Sequence, residues 1–188
     1  MKKTSKFLLF TMATVLSLGM YSCDEIADAT KQKVTVDAPD VEFTIDSTEY
    51  NMAKASQTAD VVILDINMEL SIADELENNG ISVDKFVSGE LANATLTITA
   101  PENVLLNFFD EISLFVVDGE EELLIANATS VDAESNTINL TCNNDNILDY
   151  INVDPVHIII KVNPITYLPV PYVTITVSTA YQVEVEIL

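Results

Sequence analysis

The stretch from Val173 to Ile187 alternates between apolar and polar residues, and this alternation constrains the fold more than any other feature of the chain. Its odd positions are Val, Ile, Thr or Tyr, and its even positions are Thr, Ser, Ala, Gln or Glu. Because successive side chains of a strand point to opposite faces, the pattern predicts a fifteen-residue strand with its odd-numbered side chains in the core. A bulge near Ala180 would reverse the two faces.

The same period recurs along the chain and predicts eight or nine strands in all. The apolar positions change parity at Ala38-Pro39, which predicts a bulge or kink there on a sheet edge. Asp118-Gly119 predicts a tight hairpin turn. The predicted strands cover residues 34–45, 62–70, 81–87, 90–99, 112–117, 121–128, 138–142, 156–162 and 173–187, and the strand at 112–117 is apolar on both faces and therefore central.

Short helices are predicted between some of these strands. Ser71 is predicted to cap a helix of about two turns. Pro101-Glu102 is predicted to open a helical stretch through Phe109, and residues 144–150 a further corner helix. The whole pattern predicts an all-β fold, an antiparallel β-sandwich of immunoglobulin-like size with two or three corner helices. A closed barrel is the alternative.

The first residues have the layout of a secretory signal. Lys2, Lys3 and Lys6 precede an uncharged, mostly apolar run of 14 residues, 7–20. A membrane span needs about 20 apolar residues, so a signal peptide over residues 1–22 is the better interpretation. A transmembrane anchor is the alternative.

Ser22-Cys23 at the end of this run resembles the cleavage site of a bacterial lipoprotein. The resemblance implies that Cys23 is acylated and becomes the mature N-terminus. An ordinary secretory signal with a chance cysteine is the alternative. Residues 23–33 then form an acidic and polar tether, and residues 34–188 a single domain.

The acidic residues behind Cys23 resemble the export signal of Bacteroidota surface lipoproteins, with Asp24 and Glu25 as its core. A merely polar tether is the alternative. In overall pattern, residues 34–188 resemble small surface-exposed lipoproteins of the same group, whose all-β ectodomains have no assigned activity. The resemblance implies a lipid-anchored protein of the outer membrane that is exposed at the cell surface.

The charge of the chain excludes several classes of partner. The chain has eight lysines, no arginine and 30 acidic residues, so its net charge is −22. Removal of residues 1–22 would leave five lysines and give the mature chain a net charge of −25. Nucleic acid is excluded because phosphate binding needs Lys or Arg. Anionic lipid is repelled, so we expect contact with the membrane through the lipid anchor alone.

Histidine and cysteine are too few for most metal or nucleophile sites. The chain has one histidine, His157, which the alternation places on a polar strand face, and two cysteines. Acylation of Cys23 would leave Cys142 alone, which excludes a disulfide in the mature chain. We expect no catalytic residues, no cofactor and no enzymatic activity.

Three patterns remain as candidate sites. The first is the predicted hairpin tip, which carries four carboxylates: Asp118, Glu120, Glu121 and Glu122. The favoured interpretation is that solvent surrounds these carboxylates, and a weak calcium site is the alternative. Tyr167 and Tyr172 flank a proline-rich loop and could form a ligand patch, with a packed connection as the alternative. Ser47, in Asp46-Ser47-Thr48, resembles the acceptor for O-glycosylation in exported Bacteroidota proteins.

The sequence therefore favours a non-enzymatic binding or scaffolding module for an envelope protein or a glycan. The alternative is a structural or assembly component that pairs with a neighbour through its C-terminal strand.

Overall fold

The computed structural model describes residues 30–56, 60–132 and 134–187. Cys23, Asp24, Glu25 and the predicted signal peptide lie outside the described residues, so their assignments stay predictions. Residues from Lys31 onward form one compact unit. Within the described ranges, no helix is long and apolar enough to cross a membrane.

The domain is a β-sandwich of two antiparallel five-stranded sheets, as the alternation predicted. Three short helices lie between strands: α1 (Ser47–Ala55), α2 (Ile72–Asn78) and α3 (Leu148–Ile151), with a 3₁₀ turn at Val83–Lys85. The strands are β1 (Lys31–Asp37), β2 (Val41–Asp46), β3 (Val61–Met68), β4 (Phe86–Ala100), β5 (Phe109–Asp118), β6 (Glu121–Ala128), β7 (Thr137–Asn139), β8 (Thr141–Cys142), β9 (Val156–Pro164) and β10 (Tyr172–Glu186).

In the first sheet, β10 is a central strand. β4 pairs along one side of β10. On the other side, β2 pairs with the first half of β10 and β1 with the second half, so that β1 and β2 lie end to end. The break between them falls at residues 38–40, which confirms the predicted kink at Pro39 and its edge position. Both sides of β10 are thus occupied within the chain, so it has no free side along which a neighbour could pair.

The second sheet has the order β3-β9-β5-β6-β8. β5 lies between β9 and β6, as predicted for the segment that is apolar on both faces. The predicted strand at 138–142 is two strands, because β7 belongs to the first sheet and β8 to the second. The chain therefore crosses between the sheets at Leu140, which is buried.

β10 buries its odd-numbered side chains, as predicted. Every odd position from Val173 to Val185 is buried, whereas Ile187 just beyond the strand is 54% exposed. The register against β4 shifts three times, including the predicted place near Ala180. Each extra residue belongs to β4, so the two faces of β10 are not reversed.

These extra residues change which side chains of β4 face the core. Leu91 is buried before the shift, and Ala94, Leu96 and Ile98 are buried after it. Ala92 is itself an extra residue and is exposed. The alternation of residues 90–99 alone would predict that Ala92, Ala94, Leu96 and Ile98 share a face, and for Ala92 that prediction is wrong.

Two predicted elements are absent from the described ranges. Residues 101–108 form turns instead of a helix, because Asn103 has a left-handed φ of 69° and the buried residues Val104, Leu106 and Phe108 alternate. Residues 81–85 contain the 3₁₀ turn, and the strand predicted there begins only at Phe86.

The remaining helices differ in detail from the predictions. α2 is the predicted helix of about two turns and buries Ile72 and Leu76, which lie four residues apart on one face. The prediction that Ser71 caps it is wrong, because Ser71 has a left-handed φ of 51° and its side chain makes no cap hydrogen bond. α3 is shorter than the predicted helix at 144–150. α1 was not predicted.

Candidate functional site

The two ends of the sandwich are defined by the partners of β10. Lys31 pairs with Glu186 at one end, which we call the β1 end, and Asp46 pairs with Tyr172 at the other. We call the second the tyrosine end; it contains α1 and the loops 101–108 and 165–171. Because a strand rises about 3.3 Å per residue, the two ends of β10 lie roughly 45 Å apart.

α1 is held against the tyrosine end by one buried aromatic residue. Tyr50 is 2% exposed, and its hydroxyl donates a hydrogen bond of 2.5 Å to the carbonyl oxygen of Phe108. Its ring packs edge-on against Phe108 and Phe109, with both centroid distances 5.9 Å. The carboxylate of Asp46 caps the helix by accepting a hydrogen bond from the backbone N–H of Thr48.

The loop 165–171 is fastened to α1 and to the neighbouring loop. The N–H of Leu168 donates to Oδ1 of Asn51 at 2.8 Å, and the N–H of Ser47 donates to the carbonyl of Pro171 at 2.8 Å. The N–H of Ile165 donates to the carbonyl of Phe108 at 3.0 Å. Three hydrogen bonds thus fix a loop whose prolines already restrict its backbone.

The fixed loop presents two aromatic side chains to solvent. Tyr167 is 59% exposed and Tyr172 57%, whereas Leu168 between them is buried. Ile165 on the same loop and Met52 on α1 are also exposed. The structure therefore places both predicted tyrosines at one end of the sandwich, and the loop that joins them is also packed through Leu168.

Met52 and Asn51 were missed by the sequence analysis because α1 was missed. α1 buries only Tyr50, so it has no apolar stripe that would reveal a helix. The available signal was Asp46 followed three residues later by Glu49, which has the spacing of a capping box.

The tyrosine end is acidic where α1 begins. The N–H of Thr48 donates to the carboxylate of Asp46 and lowers the pKa of Asp46, so this group stays ionised at neutral pH. A cavity of about 110 Å³ beside the helix start is lined in part by Thr44, Asp46 and Glu49. Typical small-molecule sites enclose about 300–1,000 Å³, so this cavity is too small for one.

The Asp46-Ser47-Thr48 triplet forms the start of α1. Ser47 is half-buried and is the first residue of the helix, with its N–H bound to Pro171. Asp46 acts as the cap, so the triplet has a structural role in addition to any modification of Ser47.

The acidic hairpin tip lies away from the tyrosines. Gly119 has a φ of 61° in the two-residue turn, and Asp118 and Glu121 face each other across it. Glu122 forms an ion pair with Lys161. Among the residues that the structure describes, no three His, Cys, Asp or Glu side chains form a group that could hold a metal ion.

His157 and Cys142 lie in separate environments. Nε2 of His157 is 2.7 Å from Oδ1 of Asp65, on the strand beside it. Cys142 is half-buried, and burial raises the pKa of its thiol. A thiol with a raised pKa is a poor nucleophile at neutral pH.

Comparisons with known proteins give no family assignment. No model of a protein family matches the chain, and no curated protein matches it. Among solved structures, a chain named desmodium yellow mottle tymovirus is 11% identical, with a TM-score of 0.26 over 95% of this chain and 98% of that one. A likeness this weak supports no inference, and the β-sandwich assignment rests on the strand pairing of this chain alone.

Proposed function

We propose that this protein is a lipoprotein of the outer membrane, exposed at the cell surface, that binds an extracellular partner without enzymatic activity. In this proposal Cys23 carries the lipid, and Asp24 and Glu25 direct export. The partner, an envelope protein or a glycan, is bound at the tyrosine end.

The observation that carries the proposal is the exposure of Tyr167 and Tyr172 on a loop fixed by three hydrogen bonds. Tyrosine offers a large contact area with little loss of side-chain entropy, and a fixed loop loses little backbone entropy on binding. Exposed aromatic side chains on a rigid loop are typical of recognition surfaces.

The position of this loop also supports the proposal. The chain joins the sandwich at Lys31, roughly 45 Å along β10 from Tyr172. A lipid at Cys23 would therefore hold the β1 end nearer to the membrane and leave the tyrosine end facing outward. The acidic surface of the domain would keep it from lying against anionic lipid.

The assembly alternative receives no such support. It requires the C-terminal strand to offer a free side, and both sides of β10 are paired within the chain.

Photo-crosslinking in living cells tests the proposal. We would replace Tyr167 with benzoylphenylalanine and, as a control, Val153, which is 55% exposed beyond α3 at the β1 end. We expect irradiation to give a covalent adduct of higher mass from position 167 and none from position 153. The absence of an adduct at 167, or equal adducts at both positions, would overturn the proposal.

A further inference from the structure

The outer face of the first sheet changes character along its length. In the half toward the β1 end it carries charged pairs: Lys33 bonds to Glu90 at 2.7 Å, and Lys31 lies 3.7 Å from Glu184. In the half toward the tyrosine end it carries threonines, which form a patch that we call the hydroxyl face: Thr44, Thr95, Thr97, Thr137, Thr174 and Thr176.

The register of the strands brings these hydroxyl groups together. Thr44 pairs with Thr174 across β2 and β10, with their oxygens 3.3 Å apart. Thr97 pairs with both Thr176 and Thr137, and its oxygen is 3.1 Å from that of Thr137. Thr95 donates to Oδ1 of Asn139 at 2.9 Å. The hydroxyl face thus spans four neighbouring strands.

Each of these hydroxyl groups keeps hydrogen-bonding capacity for a ligand. A threonine hydroxyl has one donor and two acceptor positions, and a pairing between two hydroxyls uses only one donor and one acceptor. The face therefore offers an array that both donates and accepts, which is the pattern that the hydroxyl groups of a sugar chain require.

Strand propensity alone does not explain the threonines of the hydroxyl face. Threonine favours strands, but the other half of the same face accommodates Lys33, Glu90 and Glu184. Two acidic residues of β2 share this outer face at its edge, where Glu42 pairs with Thr176 and Asp46 pairs with Tyr172.

Tyr172 continues the hydroxyl face at the tyrosine end. It lies two residues before Thr174 on β10, so the two side chains share the outer face. An exposed aromatic ring beside an array of neutral hydroxyl groups combines an apolar stacking surface with hydrogen-bonding partners. A sugar ring has both an apolar face and hydroxyl groups at its rim.

We propose that the hydroxyl face and Tyr172 bind an uncharged polysaccharide, which lies across the strands of the first sheet. This inference rests on the binding function proposed above and names its ligand class. An anionic polysaccharide is disfavoured by the surrounding acidic residues. A protein partner bound at the same end is the competing occupant, which the experiment distinguishes.

The test is affinity electrophoresis of the purified mature protein through gels that contain dextran, mannan, xylan or a mixed-linkage β-glucan, with polygalacturonate as the anionic control. We expect at least one neutral polysaccharide to retard the protein and polygalacturonate to leave its mobility unchanged. The retardation should be the same at low and at high salt, because the polysaccharide carries no charge.

Matched variants locate the contact. Thr97→Val and Thr176→Val remove a hydroxyl group without changing the side-chain shape, and each should weaken binding by about fivefold. Tyr172→Ala should weaken it further, Thr97→Ser should restore it, and Thr35→Val in the charged half should bind as the unmodified protein does. Urea unfolding of each variant confirms that it is folded.

Two results would overturn the inference. One is that no neutral polysaccharide retards the protein, and the other is that Thr97→Val and Thr176→Val bind as tightly as Thr35→Val. A crosslink from position 167 to a protein, without polysaccharide binding, would reject the ligand class while it supports the proposed binding function.

Discussion

Tyr181 carries a hydroxyl group into the core of the sandwich. Its side chain is fully buried, and its Oη is the only buried side-chain nitrogen or oxygen without a hydrogen-bond partner in the part of the chain that the structure describes. The Thr179 hydroxyl acts to lower the pKa of Tyr181, but it makes no hydrogen bond of ordinary geometry. Burial dominates and raises the pKa of Tyr181 to about 12.

We expect Tyr181→Phe to stabilise the protein at neutral pH. An unsatisfied buried polar group costs about 1–3 kcal/mol, and phenylalanine keeps the ring while it removes that group. Urea unfolding should show a higher midpoint for the variant. A clear loss of stability would mean that the hydroxyl group has a partner in solution.

The same residue predicts how stability depends on alkaline pH. The unfolded chain releases the tyrosine proton near pH 10, whereas the folded chain retains it up to about pH 12. The free energy of unfolding is therefore independent of the ionisation of this group below about pH 10 and falls between about pH 10 and 12. The stability of Tyr181→Phe should fall less steeply over that window. The pKa of Tyr50 is also raised by burial, so part of the decline should remain.

Gly89 lies where α3 approaches β4 closely. A Cβ atom at this position would lie 2.7 Å from Cδ1 of Ile151. Gly89→Ala should therefore cost about 1–3 kcal/mol through overpacking. Ile151→Val removes the clashing methyl group, so the double variant should lose less stability than the sum of the two single variants. Strict additivity in urea unfolding would show that this contact is not the cause.

At the scale of the element, β10 shows how far an alternating pattern predicts a strand. Its odd-numbered side chains are all buried because β10 contains no bulge in its pairing with β1, β2 or β4. β4 carries the same alternation but contains three extra residues, so its buried set changes parity along the strand. Alternation therefore predicts which side chains face the core only where the strand has no bulge. Bulges depend on the pairing with the partner strand.

Ile175 and Thr176 test the two faces of β10 directly. Ile175 is fully buried, and Thr176 points outward between Glu42 and Thr97. Ile175→Ala should cost about 2–5 kcal/mol, whereas Thr176→Ala should cost under about 0.5 kcal/mol. The denaturation midpoint should fall clearly for the first variant and barely for the second. Equal effects would contradict the assigned faces.

At the scale of the whole molecule, the two ends of the sandwich differ in chemistry. The β1 end is where the chain from residue 30 joins the sheet, beside the charged half of its outer face. The tyrosine end carries the fixed loop and the neutral hydroxyl face. The point where the chain enters the sheet and the proposed binding surface therefore lie at opposite ends of the domain.

Mass spectrometry of the mature protein tests the anchor. We expect a lipid-modified N-terminal peptide that begins at Cys23, as the lysines, the apolar run and Ser22-Cys23 predict. Replacement of both Asp24 and Glu25 by Ala should leave the protein membrane-bound but shield it from protease added to intact cells. An unmodified N-terminus elsewhere would contradict the acylation, and unchanged protease access would contradict the export signal.

The sequence by itself determined the all-β class, the buried and exposed faces of β10, the central position of β5 and the turn at Gly119. These features are local, because side-chain alternation and turn geometry depend on residues close together in the chain. Tertiary structure alone decided that β1 and β2 lie end to end on β10, that β4 carries the bulges, and that α1 fixes the loop of Tyr167. It also decided that the threonines of four strands form one surface of hydroxyl groups. Strand pairing joins residues far apart in the chain, and their register is set by contacts that no local period contains.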